Sequence, residues 1–204
     1  MFAIVESGSI TSMPNGNKGV QIGDIKYPKT IYTLWSESER NAIGVYTVEI
    51  DETNKKDGDW YINTNITYAF GSGKVTGSYG TATARAHADA LYTQADEDNG
   101  LGTKDDVKVE GLKTQLIRTV KKQAEGILNQ TDWYITRKAE KSTAIPSAIT
   151  THRDAVRTKQ ASMCTAIANA SDTPALETLY AYVNTADEGE PIVMERPLGV
   201  LPKL

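Results

Sequence analysis

Apolar residues recur at three- and four-residue spacing through Leu112, Leu116, Val120, Ala124 and Ile127/Leu128, the period of one buried helix face. A second stripe runs through Ile149, Val156, Met163 and Ile167. It is opened by Pro146, whose missing N–H costs nothing in a first helical turn. Only a short aromatic segment separates the two, so the helices must pack near-antiparallel. Each is expected to exceed about 20 residues, the first starting near Asp106. Asp132 is a natural cap for a short intervening helix from Trp133 to Lys141. Pro174 opens a fourth helix, with Leu176, Leu179, Tyr180 and Val183 inward. Both stripes are narrow. Such a hairpin needs the fourth helix, the rest of the chain or further copies to bury what it exposes.

The first 80 residues read differently. Phe2 to Val5 and Gly19 to Ile25 are short strand candidates around a Pro14-Asn15-Gly16 turn. Ser36 and Glu39 form a capping-box pattern, and Gly44 should stop the short helix they open. Tyr46, Val48 and Ile50 then alternate as a strand does. So do Trp60, Ile62, Ile66, Tyr68 and Phe70, with Tyr61, Asn63, Asn65 and Thr67 opposite. Strands at 43–51, 59–70 and 74–79 should form a meander. The alanine-rich stretch 81–95 is expected to be helical, and Asp96 to Gly102 to be a polar linker rather than a calcium loop. The segment after Asp187 carries three prolines and two glycines, which prevent regular helix, together with Ile192, Val193, Met194, Leu198, Val200, Leu201 and Leu204. It reads as an extended arm, docked on its own body or on a neighbour.

The expected fold is therefore α+β: an antiparallel β meander, then a long helical hairpin with an additional helix and an extended C-terminal arm. The divisions are 1–80, β-rich; 81–105, helix and linker; 106–185, helical; and 186–204, the arm.

Little in the sequence points to chemistry. His87 and His152 lie in different segments, and with Cys164 as the one cysteine they furnish no zinc set and no disulfide. No phosphate loop, dinucleotide fingerprint, H-E-x-x-H or nucleophile elbow occurs. Asp57 and Asp59 flank a turn signal and read as turn residues before they read as a glycosidase pair. No catalytic, cofactor or metal residues are expected. No apolar run approaches the roughly 20 residues of a membrane span. Met1 to Met13 lacks the basic start and apolar block of a secretory signal. The net charge of −4 is uneven. From Lys108 to Gln160 there are 11 Lys/Arg against 5 Asp/Glu, a surplus of six, leaving −10 elsewhere. A basic helical half suits solvent or an acidic protein surface better than nucleic acid.

Trp133 and Tyr134 admit two roles. They could plug the helical corner, with Arg137 and Glu140 pairing on the outer face. They could instead be an exposed aromatic hot spot with arginine beside it. Arg153, Arg157 and Lys159 are expected to point away from the apolar stripe or along its edge. The candidate interaction residues are Trp133, Tyr134, Arg137, Arg153, Arg157, Met194, Leu198, Val200 and Leu201.

The run Leu128-x-x-Thr131-Asp132-Trp133-Tyr134-x-x-Arg137-x-x-Glu140, then Ile145-Pro146 and Arg153-x-Ala155-x-Arg157, resembles a helical motif of phage tail-fibre assembly and tail assembly chaperone proteins. It is more similar still to structural proteins of marine bacteriophages. These share a Tyr-Pro … Ile-Gly-Val-Tyr opening, here Tyr27-Pro28 and Ile43 to Tyr46, and a closing Arg-Pro-Leu-Gly, here Arg196 to Gly199. The resemblance implies a non-enzymatic virion component of the tail, in the fibre, baseplate or adaptor region, made in the host cytoplasm. Its implied partners are copies of itself and other phage tail proteins, with no membrane and no cofactor. A fourth helix and an apolar arm beyond the motif favour a subunit that stays in the particle. The alternatives are an assembly chaperone absent from the mature particle and a nucleic-acid-contacting protein using the basic helices.

Overall fold

The computed structural model describes residues 1–204, in two compact units, Met1–Thr83 and Ala84–Leu204. The first contains β1 (Phe2–Glu6), β2 (Ser9–Ser12), β3 (Val20–Ile22), β4 (Ile25–Tyr27), α1 (Ile31–Leu34), α2 (Glu37–Ala42), β5 (Val45–Asp51), β6 (Tyr61–Ile62), β7 (Thr67–Gly71) and β8 (Lys74–Ser78). β9 (Thr83–Ala84) lies where the chain leaves it. The second contains β10 (Ala90–Leu91), α3 (Gln94–Asp98), β11 (Val107–Val109), α4 (Leu112–Asn129), α5 (Asp132–Lys141), α6 (Ser147–Asn169), α7 (Thr173–Tyr180), β12 (Val183–Asn184) and β13 (Met194–Glu195). The α+β class is as the sequence implies.

In the first unit the sheet order is β2-β1-β5-β8-β7. Strand β1 is apolar at every position from Phe2 to Val5, because both of its faces are covered. Ile4 packs with Ile31, Tyr32 and Val45 on one side, while Ala3 and Val5 pack with Val75 on the other. The expected meander is corrected in one respect: β5 and β8 pair in parallel, Val48 opposite Val75, and β7 closes the sheet as a hairpin on β8. The long strand expected over 59–70 is also broken. Asn63 folds onto the chain behind it, accepting from the Lys56 N–H at 2.8 Å and donating to the Lys56 carbonyl at 2.7 Å. Thr64 accepts from the Gly80 N–H at 2.7 Å. These side-chain bonds compete with the ladder and win.

The capping box forms as the sequence implies: Ser36 Oγ accepts from Glu39 N–H, and the Glu39 carboxylate accepts from Ser36 N–H at 2.7 Å. Gly44 follows α2 with φ of 80°, and a Cβ there would meet the Val5 carbonyl oxygen at 2.6 Å. Gly44→Ala is expected to cost about 1–3 kcal/mol, from left-handed strain and that collision. Denaturant titration of the two proteins reads it directly.

In the second unit, the helix expected over 81–95 is absent. Alanines at 82, 84, 86, 88 and 90 alternate with polar residues, a two-residue period that suits extended chain. The extended segment supplies what the start of α4 lacks. The Ala86 and His87 carbonyls accept from the N–H groups of Leu112 and Lys113. The Asp89 carboxylate accepts from Gly111 N–H and Thr114 Oγ, both at 2.7 Å. Helix α4 therefore starts at Leu112, six residues after Asp106, and runs 18 residues, shorter than expected. Residues 107–109 pair with β10 instead.

Asp96 likewise sits in a built contact. Thr93 and Asp96 form a capping box on α3, and Lys108 Nζ donates to Asp96 at 2.7 Å. The Lys108 ammonium first, then the Thr93 N–H and hydroxyl, lower the Asp96 pKa to about 2. Asp89 is lowered too, by the Thr114 hydroxyl and the Gly111 N–H. Both carboxyls are depressed below the ordinary value of 3.8. Their stabilisation is thus present above that value and is lost as pH falls through the folded-state values. The stability difference between Asp96→Ala and the parent is expected to be larger at about pH 5 than at about pH 2, where about half of the Asp96 carboxyl is protonated. Urea midpoints at the two pH values measure this.

Helices α4 and α6 form the core of the second unit. They run antiparallel: Arg153 near the start of α6 reaches Leu128 at the end of α4, and Lys113 Nζ reaches the Ala168 carbonyl at 3.0 Å. Val120 and Ala124 of α4, Val156, Met163 and Ile167 of α6 and Leu176 of α7 are all buried, and α4 packs against α6. No helix is long and apolar enough to cross a membrane.

Candidate functional site

The corner between α4 and α6 is built around Thr131 and Arg153. Thr131 is 1% exposed and is the residue before α5, where it turns its hydroxyl back to the Leu128 carbonyl at 2.9 Å. Arg153 is 7% exposed, at a core position of α6. One of its terminal nitrogens donates to Leu128 O at 2.8 Å and to Thr131 Oγ at 2.6 Å; the other pairs with Asp132 at 2.8 Å. Arginine suits this place because its planar fork can serve a carbonyl, a hydroxyl and a carboxylate at once.

Two expectations change here. Arg153 does not lie off the apolar stripe: Ile149, Arg153, Val156, Gln160, Met163 and Ile167 follow one another at four- and three-residue steps, on one face. It serves the fold and offers no free surface. Asp132 does not cap α5 with its side chain, because it is drawn to Arg153; Thr131 takes the capping position without a side-chain cap bond.

With the corner filled by Thr131 and Arg153, Trp133 is turned outward and is 51% exposed. Its ring stacks on Tyr134, centroids 3.7 Å apart and planes inclined by 30°. The Arg137 guanidinium lies over both rings, 4.8 Å from the Trp133 centroid and 5.1 Å from that of Tyr134. This stack replaces the expected Arg137–Glu140 pair. The Arg137 Nε is buried without an acceptor. Helix α5 has ten residues and buries none of them. Ile135 beside the stack is 44% exposed. Arg157 is exposed on α6 and pairs with Asp154 at 3.2 Å, one helical turn before it.

The arm residues divide into two pairs. Leu198 and Leu201 are buried on the helical unit, and Leu198 N–H donates to the Leu179 carbonyl at 3.0 Å. Met194 and Val200 point outward, 51% and 72% exposed. The nine candidate residues are thus not one surface: Trp133, Tyr134 and Arg137 come together, Arg153 is buried at the corner, Arg157 is exposed on α6, and the four arm residues stand apart.

Elsewhere, Asp57 accepts from Asp59 N–H at 2.9 Å, the turn geometry expected of that pair. No three His, Cys, Asp or Glu side chains gather closely enough to hold a metal ion. Thr131 and Asp89 were not singled out from the sequence. Thr131 stands in the Thr-Asp-Trp corner, but nothing local marks it as buried, and the partners of Asp89 are 22 and 25 residues away. Compared with known protein families, curated proteins and solved structures, the chain finds no match.

Proposed function

We propose that this protein is a non-catalytic assembly subunit that binds its partners, further copies of itself among them, through the face of α5. One observation carries the reading. A ten-residue helix with no buried residue bears a tryptophan, a tyrosine and an isoleucine. A helix of that length is marginal in water by itself, since about 12–15 residues are needed even for good formers. Most helices persist by burying an apolar face, and α5 has yet to bury its own. The stack of Trp133, Tyr134 and Arg137 is made of the side chains that dominate binding hot spots. The Arg153–Asp132 pair ties the first residue of α5 to α6, so little order has to be gained on binding.

The resemblance of the same run to phage tail proteins supplies the setting: a virion component of the tail, in the fibre, baseplate or adaptor region. The test is quantitative mass spectrometry of purified virions against infected-cell lysate. A subunit of the particle is expected at copy numbers that are multiples of its rotational symmetry. Abundance in lysate together with absence from particles would overturn the virion reading and leave an assembly chaperone.

A further inference from the structure

The arm lies in a groove lined by Leu116, Val120, Met163 and Tyr180. Leu198 and Leu201 enter it, 4% and 9% exposed, and one backbone bond from Leu198 N–H to the Leu179 carbonyl secures it. The fit is incomplete. The segment lies along the surface: a cleft of about 250 Å³ on the groove side and another of about 330 Å³ on the side of Lys159, Tyr182 and Met194 stay open beside it. Val200, between the two seated leucines, is 72% exposed. Arg196 at its start stacks over Tyr182 at 4.5 Å, yet its Nε is buried with no acceptor.

The chain leading to the arm is equally lightly held. Strands β12 and β13 pair through two residues each, Val183 with Glu195 and Asn184 with Met194. A two-stranded ribbon of that length is at best marginally stable alone. Its turn passes through Gly189 at φ of 90°. Ile192, Val193 and Met194, beside that turn, are 75%, 47% and 51% exposed. In this conformation Ile192 stands largely in solvent, and Val193 and Met194 are about half covered.

We infer that the segment Arg196–Leu201 exchanges between copies, each arm seating in the groove of a second copy of this chain. The groove already shows its occupant. The same Leu198 and Leu201 contacts form whether the arm comes from its own chain or from an identical one, so exchange gives up none of them. A foreign peptide would have to displace a resident held at high effective concentration by its own linker. An identical arm meets the same competition, but when the β12–β13 ribbon opens in two copies each displaced arm regains its contacts in the other groove. The 15 residues from Ala181 to Glu195 then span up to about 50 Å when extended. Two hinges opened side by side also bring Ile192, Val193 and Met194 of both chains into reach of one another.

This rests on the self-association proposed above, and the experiment separates the two. Isotopically heavy and light full-length proteins are denatured, mixed equally and refolded together. The oligomeric and monomeric fractions are then treated with an amine-reactive crosslinker. Lys159 lies against Gly199, and Lys203 is four residues further on, within about 14 Å along the chain. The Lys159–Lys203 link therefore reports which groove holds which arm. Exchange predicts that about half of these links in the oligomer join a heavy to a light peptide, and none in the monomer. Oligomers whose Lys159–Lys203 links are all of one isotope would overturn exchange and leave self-association standing. A protein that stays monomeric at every concentration would overturn both.

Discussion

Arg153→Ala is expected to destabilise the helical unit by about 2–4 kcal/mol, one of the larger effects open to a single substitution here. The charge pair with Asp132 is not the main reason. The Asp132 side chain is 50% exposed, so water takes over its solvation when the guanidinium leaves. The cost lies on the buried side. Thr131 Oγ loses the donor at 2.6 Å, the Leu128 carbonyl loses one at 2.8 Å, and the long aliphatic stem leaves a gap between α4 and α6. Arg153→Met, which keeps most of the volume, should recover part of the loss but leave Thr131 Oγ without its donor, while the Leu128 carbonyl keeps its bonds from the Thr131 N–H and hydroxyl. Arg153→Lys should recover less than its charge suggests, because one ammonium cannot serve three acceptors set around a planar fork. Urea unfolding of the parent and three variants gives the ranking. An Arg153→Ala protein within about 0.5 kcal/mol of the parent would show that the corner does not depend on this residue.

The same residue shows what could be read from the sequence and what could not. The stripe Leu112 to Leu128 and the stripe Ile149 to Ile167 are local periodic signals, and both are helical, although α4 starts six residues after Asp106 and is shorter than expected. The capping box at Ser36 and Glu39 is equally local, and it forms. Arg153 obeys the same spacing as Ile149 and Val156, but its residue type argues for the edge of the stripe or beyond it, and the structure buries it. Counting steps along α6 alone would have put it in the core. Alanine content misled in a related way at 81–95, where helix propensity was preferred over a two-residue period. There the tertiary context, the unpaired N–H groups at the start of α4, chose extended chain. Other features had no local trace. The parallel pairing of β5 with β8 depends on how residues 52–66 cross, and Asn63 bonding back to Lys56 decides that stretch. The aromatic stack was legible as a candidate because Trp133, Tyr134 and Arg137 sit within two helical turns. Its exposure was not, since that depends on Thr131 and Arg153 filling the space a tryptophan could have taken.

Trp133→Ala, by contrast, is expected to leave the fold intact and to weaken assembly by about 30-fold or more. The indole is half exposed, rests on Tyr134 rather than in a core, and leaves no enclosed cavity when removed. The change in unfolding free energy should stay within about 0.5 kcal/mol, as for other surface positions. Binding is another matter, because a large rigid ring on a preorganised helix gains its contact area at little entropic cost. Arg137→Ala should weaken assembly less, and Arg137→Lys should fail to restore it, since the ammonium cannot lie flat over two rings at 4.8 and 5.1 Å. Arg157→Ala, on an exposed turn of α6 with only Asp154 for a partner, should change neither stability nor assembly. Sedimentation over a dilution series, beside urea unfolding of the same preparations, separates the two effects. If Trp133→Ala unfolds in proportion to its loss of assembly, the ring is a structural plug after all. If it folds and assembles like the parent, the binding face of this subunit lies elsewhere than on α5.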